Sequence, residues 1–218
     1  LLQRSGAEDS LPPSVRLDHA ALLSRAQMDA RLSTVLPALQ ALPDWDGAQA
    51  LQLAQIAAEH QERVVEALAA AGQMAQAQTQ AHAPVWGAAY LPAGEAQFLQ
   101  GRLHLAAQDW RSAQQALEQA VQAQPDNARL RLALADAYAR QGLRQPASEQ
   151  AVWLATHLPK QDTTDQLALL RLLQRIPMLE AANALAQQLL QQQPGDTQVL
   201  LHAARLERAQ DRYAQALD

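Results

Sequence analysis

The sequence predicts an all-α protein, an α-solenoid of stacked helical hairpins wound as a right-handed superhelix. Three observations lead there. The first is composition: hydrophobic residues make up 49% of the 218, aromatics only 4%, and Ala, Leu and Gln, all good helix formers, dominate. Stretches such as "QMAQAQTQAHA" and "LAQQLLQQQPGD" lack the β-branched and aromatic residues that strands favour. The second is an interval. Ala113 and Ala147 stand 34 residues apart, as do Pro125 and Pro159, while Ala147 to Ala182 and Pro159 to Pro194 are 35 and Ala182 to Ala216 is 34 again. The third is punctuation. Gly142 has the place of a helix C-cap, and Pro125, Pro159 and Pro194 each end a helix because proline donates no backbone bond.

The elements follow in order. Pro12-Pro13-Ser14 starts a helix to about Ser24, and a second covers about Met28 to Leu42. "LPDWDGAQ" is a turn with Asp46 as N-cap. A long helix runs from about Ala48 to Ala71, then Gly72 and a short helix to His82. Two prolines and two glycines in "APVWGAAYLPAG" mark a break. We read 1–83 as degenerate helical hairpins, 84–93 as an irregular linker, and 94–218 as regular repeats at about 94–127, 128–162, 163–196 and a truncated 197–218. The third repeat is irregular, with Pro177 where the glycine turn belongs. Small residues at Ala113, Ala147, Ala182 and Ala216 let the second helix of each hairpin approach the first. Trp110 or Tyr213, three residues earlier, plugs the turn. Gly101 and Ala135 are small where adjacent hairpins should touch, and Tyr138 fills the space beside them.

The net charge is −5 and the pI about 5.7, so no global field favours nucleic acid or an anionic membrane. No apolar run nears the ~20 residues a membrane span needs. "LLQRSGAEDSLPPS" does not read as a signal peptide. The chain stops inside an amphipathic segment and is expected to be a fragment of something longer. Cysteine is absent, which fits an oxidising compartment such as the bacterial periplasm.

Nothing in the sequence names a catalyst or a cofactor. His19, His60, His82, His104, His157 and His202 are scattered, and none has zinc-binding spacing. "AEHQE" around His60 puts carboxylates beside an imidazole, but on adjacent helix faces. There is no Gly-rich phosphate loop, no Gly-x-Ser-x-Gly, and no cysteine nucleophile. A glycosidase would need paired carboxylates in an aromatic-lined cleft, for which the chain is too short and too poor in aromatics. The expectation is a protein that is not an enzyme, with no metal and no cofactor. Trp110, Tyr138 and Tyr213 hold core positions. Trp45, Trp86 and Tyr90 lie in turns or the break and are freer to meet a ligand.

The first helices carry the binding pattern. In a hairpin solenoid they line the concave face, the usual binding face. Equivalent positions give Arg102, Asp136, Arg171 and Arg205; one turn on come Arg208 and, beside it in register, Arg140 and Arg175. An acidic chain has set a column of arginines along its inner groove. Guanidinium forks bind carboxylates or sugar hydroxyls and stack on flat apolar faces.

A spacing of about 34 residues in helix–turn–helix units is the tetratricopeptide period, and residues 94–218 look like that family. With the irregular parts included, the chain also resembles the periplasmic region of the outer-membrane cellulose export protein family, a component of bacterial cellulose synthase. The residues are "ALQALPDWDGAQALQLAQIAAEHQERVVEALAAAGQMAQAQ", then "GRLHLAAQDWRSAQQALEQAVQAQPDNARLRLALADAYARQG", "THLPKQDTTDQLALLRLLQRIPMLEAANALAQQLL" and "VLLHAARLERAQDRYAQAL". The Leu42-Pro43 and Leu158-Pro159 punctuation is the most telling part. The resemblance implies a periplasmic scaffold between an inner-membrane synthase and an outer-membrane β-barrel, which would lie outside this chain and supply its only membrane contact. Implied partners are the other proteins of the cellulose synthase and export complex, with the nascent glucan or peptidoglycan as further candidates, and no nucleic acid. The competing expectation is a cytosolic peptide-binding adaptor of co-chaperone type. That clamp resembles Lys/Asn/Arg sets on first helices, and here Asn127 and Asn183 both lie off them.

Overall fold

The computed structural model describes residues 11–42, 45–158 and 163–217, with side chains as far as Arg208. Among these residues every regular element is helical. Eleven α-helices follow one another: α1 Pro13–Arg25, α2 Asp29–Gln40, α3 Gly47–Ala70, α4 Met74–Ala81, α5 Glu95–Ala106, α6 Trp110–Ala123, α7 Ala128–Arg140, α8 Arg144–His157, α9 Thr163–Arg175, α10 Leu179–Gln192 and α11 Thr197–Leu217. A single 3-10 turn, Ala88–Tyr90, sits in the break after α4. Consecutive helices pair as hairpins, which makes the fold an all-α solenoid. It divides into two compact units, Leu1–Ala123 and Gln124–Asp218, and the irregular stretch 84–93 falls inside the first.

The alanine landmarks are core. Ala113, Ala147 and Ala182 are fully buried, each followed on the same face by Leu117 and Ala120, Ala151 and Leu154, or Ala186 and Leu189. Residues four and seven apart share one helix face. Asp46 caps α3 by accepting from the Gln49 amide at 2.8 Å. Asn127 caps α7 and Asp196 caps α11 in the same way. Pro125 and Pro194 lie in the turns just after α6 and α10. Pro43, Pro159 and the side chains of Tyr213 and Ala216 lie outside the described residues.

Gly101 lies close against Leu117 of its own hairpin. A Cβ built there would meet Leu117 Cγ at 2.5 Å and Cδ2 at 2.8 Å, so the missing side chain makes room for a leucine on α6. The equivalent pair in the next hairpin is Ala135 with Ala151, and in the one after it Leu170 with Ala186, all buried. Glycine with leucine, alanine with alanine and leucine with alanine thus occupy the register-equivalent positions, all of them buried in a closely packed interior.

The turn inside each hairpin is one motif used five times. Gln27, Gly72, Gln108, Gly142 and Pro177 all take positive φ. The following residue donates its amide to the carbonyl five positions back: Met28 to Leu23, Gln73 to Leu68, Asp109 to His104, Leu143 to Tyr138 and Met178 to Leu173. This is the Schellman closure, which wants glycine. Only two of the five slots have it. At Gln108, with φ +57, the side chain costs energy that glycine avoids. Gln108→Gly is expected to raise stability by about 0.5–1 kcal/mol, seen as a higher urea midpoint with an unchanged slope. Gly142→Ala should move the midpoint the other way.

The spacing would put a further turn near residue 211, yet α11 continues unbroken to Leu217. The segment "RLERAQDRYAQAL" holds neither glycine nor proline, so nothing local stops the helix.

Candidate functional site

In each unit the first helices of consecutive hairpins are joined by charged or polar rungs, and the predicted arginines supply most of them. In the first unit, Arg102 on α5 bonds Glu62 on α3, Nη2 to Oε2, at 2.5 Å. It also lies 5.8 Å from the Phe98 ring centroid. The Glu62 side chain is 16% exposed and that of Arg102 35%. Burial pushes the Glu62 carboxyl above its ordinary range, helped by Glu66 and Glu59, while Arg102 pulls it back.

In the second unit, Asp136 on α7 receives Arg140 Nε from its own helix at 2.7 Å and the Arg175 guanidinium from α9. One carboxylate thus ties two helices. Arg171 on α9 donates from Nε to His202 Nε2 at 3.1 Å and from Nη2 to Gln198 Oε1 at 3.2 Å. The other ring nitrogen of His202 donates to Gln174 Oε1 at 2.9 Å, and Gln174 Nε2 donates to the His202 carbonyl at 3.1 Å. Burial, then the charges of Arg171 and Arg205, hold His202 below its ordinary value. The neutral ring it keeps is the form that can accept from Arg171. Arg205 and Arg208 on α11 are exposed.

The structure therefore brings Asp136, Arg140 and Arg175 together, sets Arg102 and Arg171 each against its own partner, and leaves Arg205 and Arg208 facing solvent. Arg102, Arg171 and Arg175 brace neighbouring helices as well as being candidate contacts, and Arg140 pairs with Asp136 on its own helix.

Several polar centres escaped sequence reasoning. His60, whose sequence neighbours place carboxylates on adjacent helix faces, is buried. It joins α3 to α2 through Asp29 Oδ1 at 3.0 Å and Ser33 Oγ at 3.1 Å. Arg63 Nε donates to the same Asp29 oxygen at 2.8 Å. Burial opposes ionisation of Asp29, yet the bonds from Arg63 and His60 hold its carboxyl below the usual range. Arg131 stacks over Trp153 at 4.2 Å while donating to the Pro125 carbonyl and Gln150. Trp153 in turn stacks on His157, with centroids 4.0 Å apart.

A third cluster gathers around Asp109. It caps α6, accepting from the Ser112 amide at 3.2 Å through Oδ1. Its Oδ2 lies 3.6 Å from His82 Nε2 and 3.7 Å from His104 Nδ1. The two imidazoles meet edge to face, centroids 4.7 Å apart. Burial would raise Asp109, but Ser112 and the two histidines hold it low. His104 is held low first by burial and then by His82. The linear spacing of these residues gave no metal signature, because they come from three different elements.

A further concave feature lies in the first unit. A cleft of about 670 Å³ is lined by Leu36, Pro37, Ala57, Val64 and Trp86, with Gln61 at its polar side. Gln61 is fixed by donating to the carbonyls of Gln80 and Ala83. Trp86 and Trp45 pack, half-buried, against the cluster of Leu17, Leu32, Leu53 and Ile56. Trp45 also donates to the Leu39 carbonyl at 3.1 Å. Tyr90 is 50% exposed. Among the described residues no helix is long and apolar enough to cross a membrane.

Fold and rungs together define a helical-hairpin repeat chain. In comparison with known proteins, residues 104–176 match the tetratricopeptide repeat family. Among solved structures, the chain is similar to residues 1–338 of Acl4, an assembly chaperone of RpL4. The identity is 16%, covering 95% of this chain and 100% of that one, with a TM-score of 0.48. No curated protein matches the chain.

Proposed function

We propose that this chain is a protein-binding scaffold of tetratricopeptide type. The observation that carries the reading is the bracing of first helices within each unit, by Glu62–Arg102 in one and by Asp136–Arg175 and Arg171–His202 in the other. Such bracing holds helices in register before any partner arrives, which lowers the ordering cost of binding. Guanidinium forks bind carboxylates or hydroxyls, and the exposed Arg205 and Arg208 present theirs to solvent. The more particular role rests on the resemblance to the outer-membrane cellulose export protein: a periplasmic spacer between glucan synthase and outer-membrane pore, docking other proteins of the complex or the emerging glucan. Concave site residues for that role are Arg102, Asp136, Arg140, Arg171, Arg175, Arg205 and Arg208.

Because Arg102 and Arg171 also hold helices together, the informative variant is Arg205→Ala/Arg208→Ala, which removes two exposed charges. Calorimetric titration with cello-oligosaccharides and with periplasmic domains of a glucan synthase is expected to show binding to wild type, weakened about tenfold or more in the double variant. Equal affinity in both proteins for every partner would remove this face from the proposal.

A further inference from the structure

His82, His104 and Asp109 have a geometry that no part of the scaffold reading uses. His104 is the telling residue. Its side chain is only 7% exposed, and its Nδ1 is buried without a hydrogen-bond partner. A polar nitrogen placed so costs free energy unless something completes it. It faces Asp109 Oδ2 at 3.7 Å, too far for a hydrogen bond.

His82 is prepared for the same point. Its Nδ1 donates to the Gln78 carbonyl at 2.8 Å, so the lone pair sits on Nε2, the atom turned toward Asp109 at 3.6 Å. Anchoring one ring nitrogen on a backbone carbonyl is how proteins fix the tautomer of a metal-ligating histidine. Asp109 divides its oxygens likewise, Oδ1 capping α6 and Oδ2 facing the two rings. All three candidate atoms lie within 4.8 Å of one another. Tetrahedral bonds of about 2.0–2.1 Å set neighbouring ligand atoms about 3.3–3.4 Å apart, so closing around an ion takes only small shifts.

We propose that His82 Nε2, His104 Nδ1 and Asp109 Oδ2 form a site for a late divalent transition metal, zinc foremost. Two imidazoles and a carboxylate suit zinc, whereas magnesium and calcium take mainly oxygen ligands. Three protein ligands leave a fourth position for water or for a side chain of a docked partner. The ion would clamp the end of α4 onto α5 and the N-terminus of α6, stapling one hairpin to the next.

The test is titration of the untagged chain with zinc against a competing chromophoric chelator, with cobalt as a spectroscopic probe and magnesium as control. Wild type is expected to take one zinc per chain at micromolar affinity or tighter. It should also show the intense visible bands of tetrahedral cobalt and melt at higher temperature with zinc but not magnesium. His82→Ala removes a ligand whose side chain is 58% exposed, so the fold is retained. Asp109→Asn keeps a competent helix cap. Each should weaken zinc binding about 100-fold or more, whereas His157→Gln should leave it unchanged. Absence of stoichiometric zinc binding in wild type, or binding undiminished in both variants, overturns the proposal.

Discussion

Leu117→Ala is expected to destabilise the chain by about 2–5 kcal/mol, and adding Gly101→Ala to it is expected to recover part of that loss. Leu117 is fully buried, and its removal opens a void against the bare Cα of Gly101. In the wild-type background Gly101→Ala is harmful instead, because the new methyl would sit 2.5 Å from Leu117 Cγ. Overpacking of that kind costs about 1–3 kcal/mol, from which about 0.5–1 kcal/mol returns as improved helix propensity. Together the two changes place alanine at both positions, as the buried Ala135 and Ala151 do at the equivalent positions one hairpin later. A double-mutant cycle read by urea denaturation should give a favourable coupling of about 1–3 kcal/mol. Additivity within about 0.5 kcal/mol would show that the two positions do not share one gap.

That example also shows which parts of the structure the sequence could disclose. The small residues at Ala113, Ala147 and Ala182 were legible because the same steric demand recurs at every repeat and only alanine meets it each time. Gly101 was legible as a close approach, but the partner was not. Its counterpart Leu117 changes identity from hairpin to hairpin as the gap is filled differently. The turn was visible at Gly142 and hidden at Gln27 and Gln108, where surrounding hydrogen bonds impose the left-handed conformation without glycine. The helix boundaries from Asp46 to Ala70 were readable from a cap and an uninterrupted apolar period.

The site was legible as a column and not as a set of contacts. Equivalent positions on first helices pointed to Arg102, Asp136, Arg171 and Arg205, but what a guanidinium does depends on the helix packed beside it. For Arg102 that is Glu62, 40 residues upstream, and for Arg171 it is His202, 31 residues downstream. One separation exceeds the repeat length and the other falls short of it, so no periodic rule links the pairs. The cluster of His82, His104 and Asp109 was hidden for a related reason. It joins a helix end, a helix interior and a cap, and the break between α4 and α5 has no counterpart elsewhere among the described residues.

Arg102→Ala is expected to destabilise the first unit by about 2 kcal/mol at neutral pH, and Glu62→Gln in the same chain is expected to relieve most of that loss. Removing one member of a buried ion pair leaves the other charge without compensation, which costs about 3–5 kcal/mol when both groups are fully enclosed. Here the Arg102 side chain is 35% exposed, so solvent screening reduces the figure. The pH dependence identifies the cause. Glu62 has a folded pKa raised above its ordinary 4.5 by burial. A raised carboxyl contributes stability below its unfolded pKa and loses it as pH rises through the folded value. Without Arg102 the folded value climbs further, so the variant's deficit should be largest near neutrality. It should shrink as pH falls toward the unfolded pKa, where Glu62 is protonated in both proteins. Urea unfolding of wild type, Arg102→Ala and the double variant across that range measures it directly. A deficit that neither changes with pH nor responds to Glu62→Gln would mean that Arg102 contributes through its aliphatic packing and its contact with Phe98, and that the rung carries no stabilising charge.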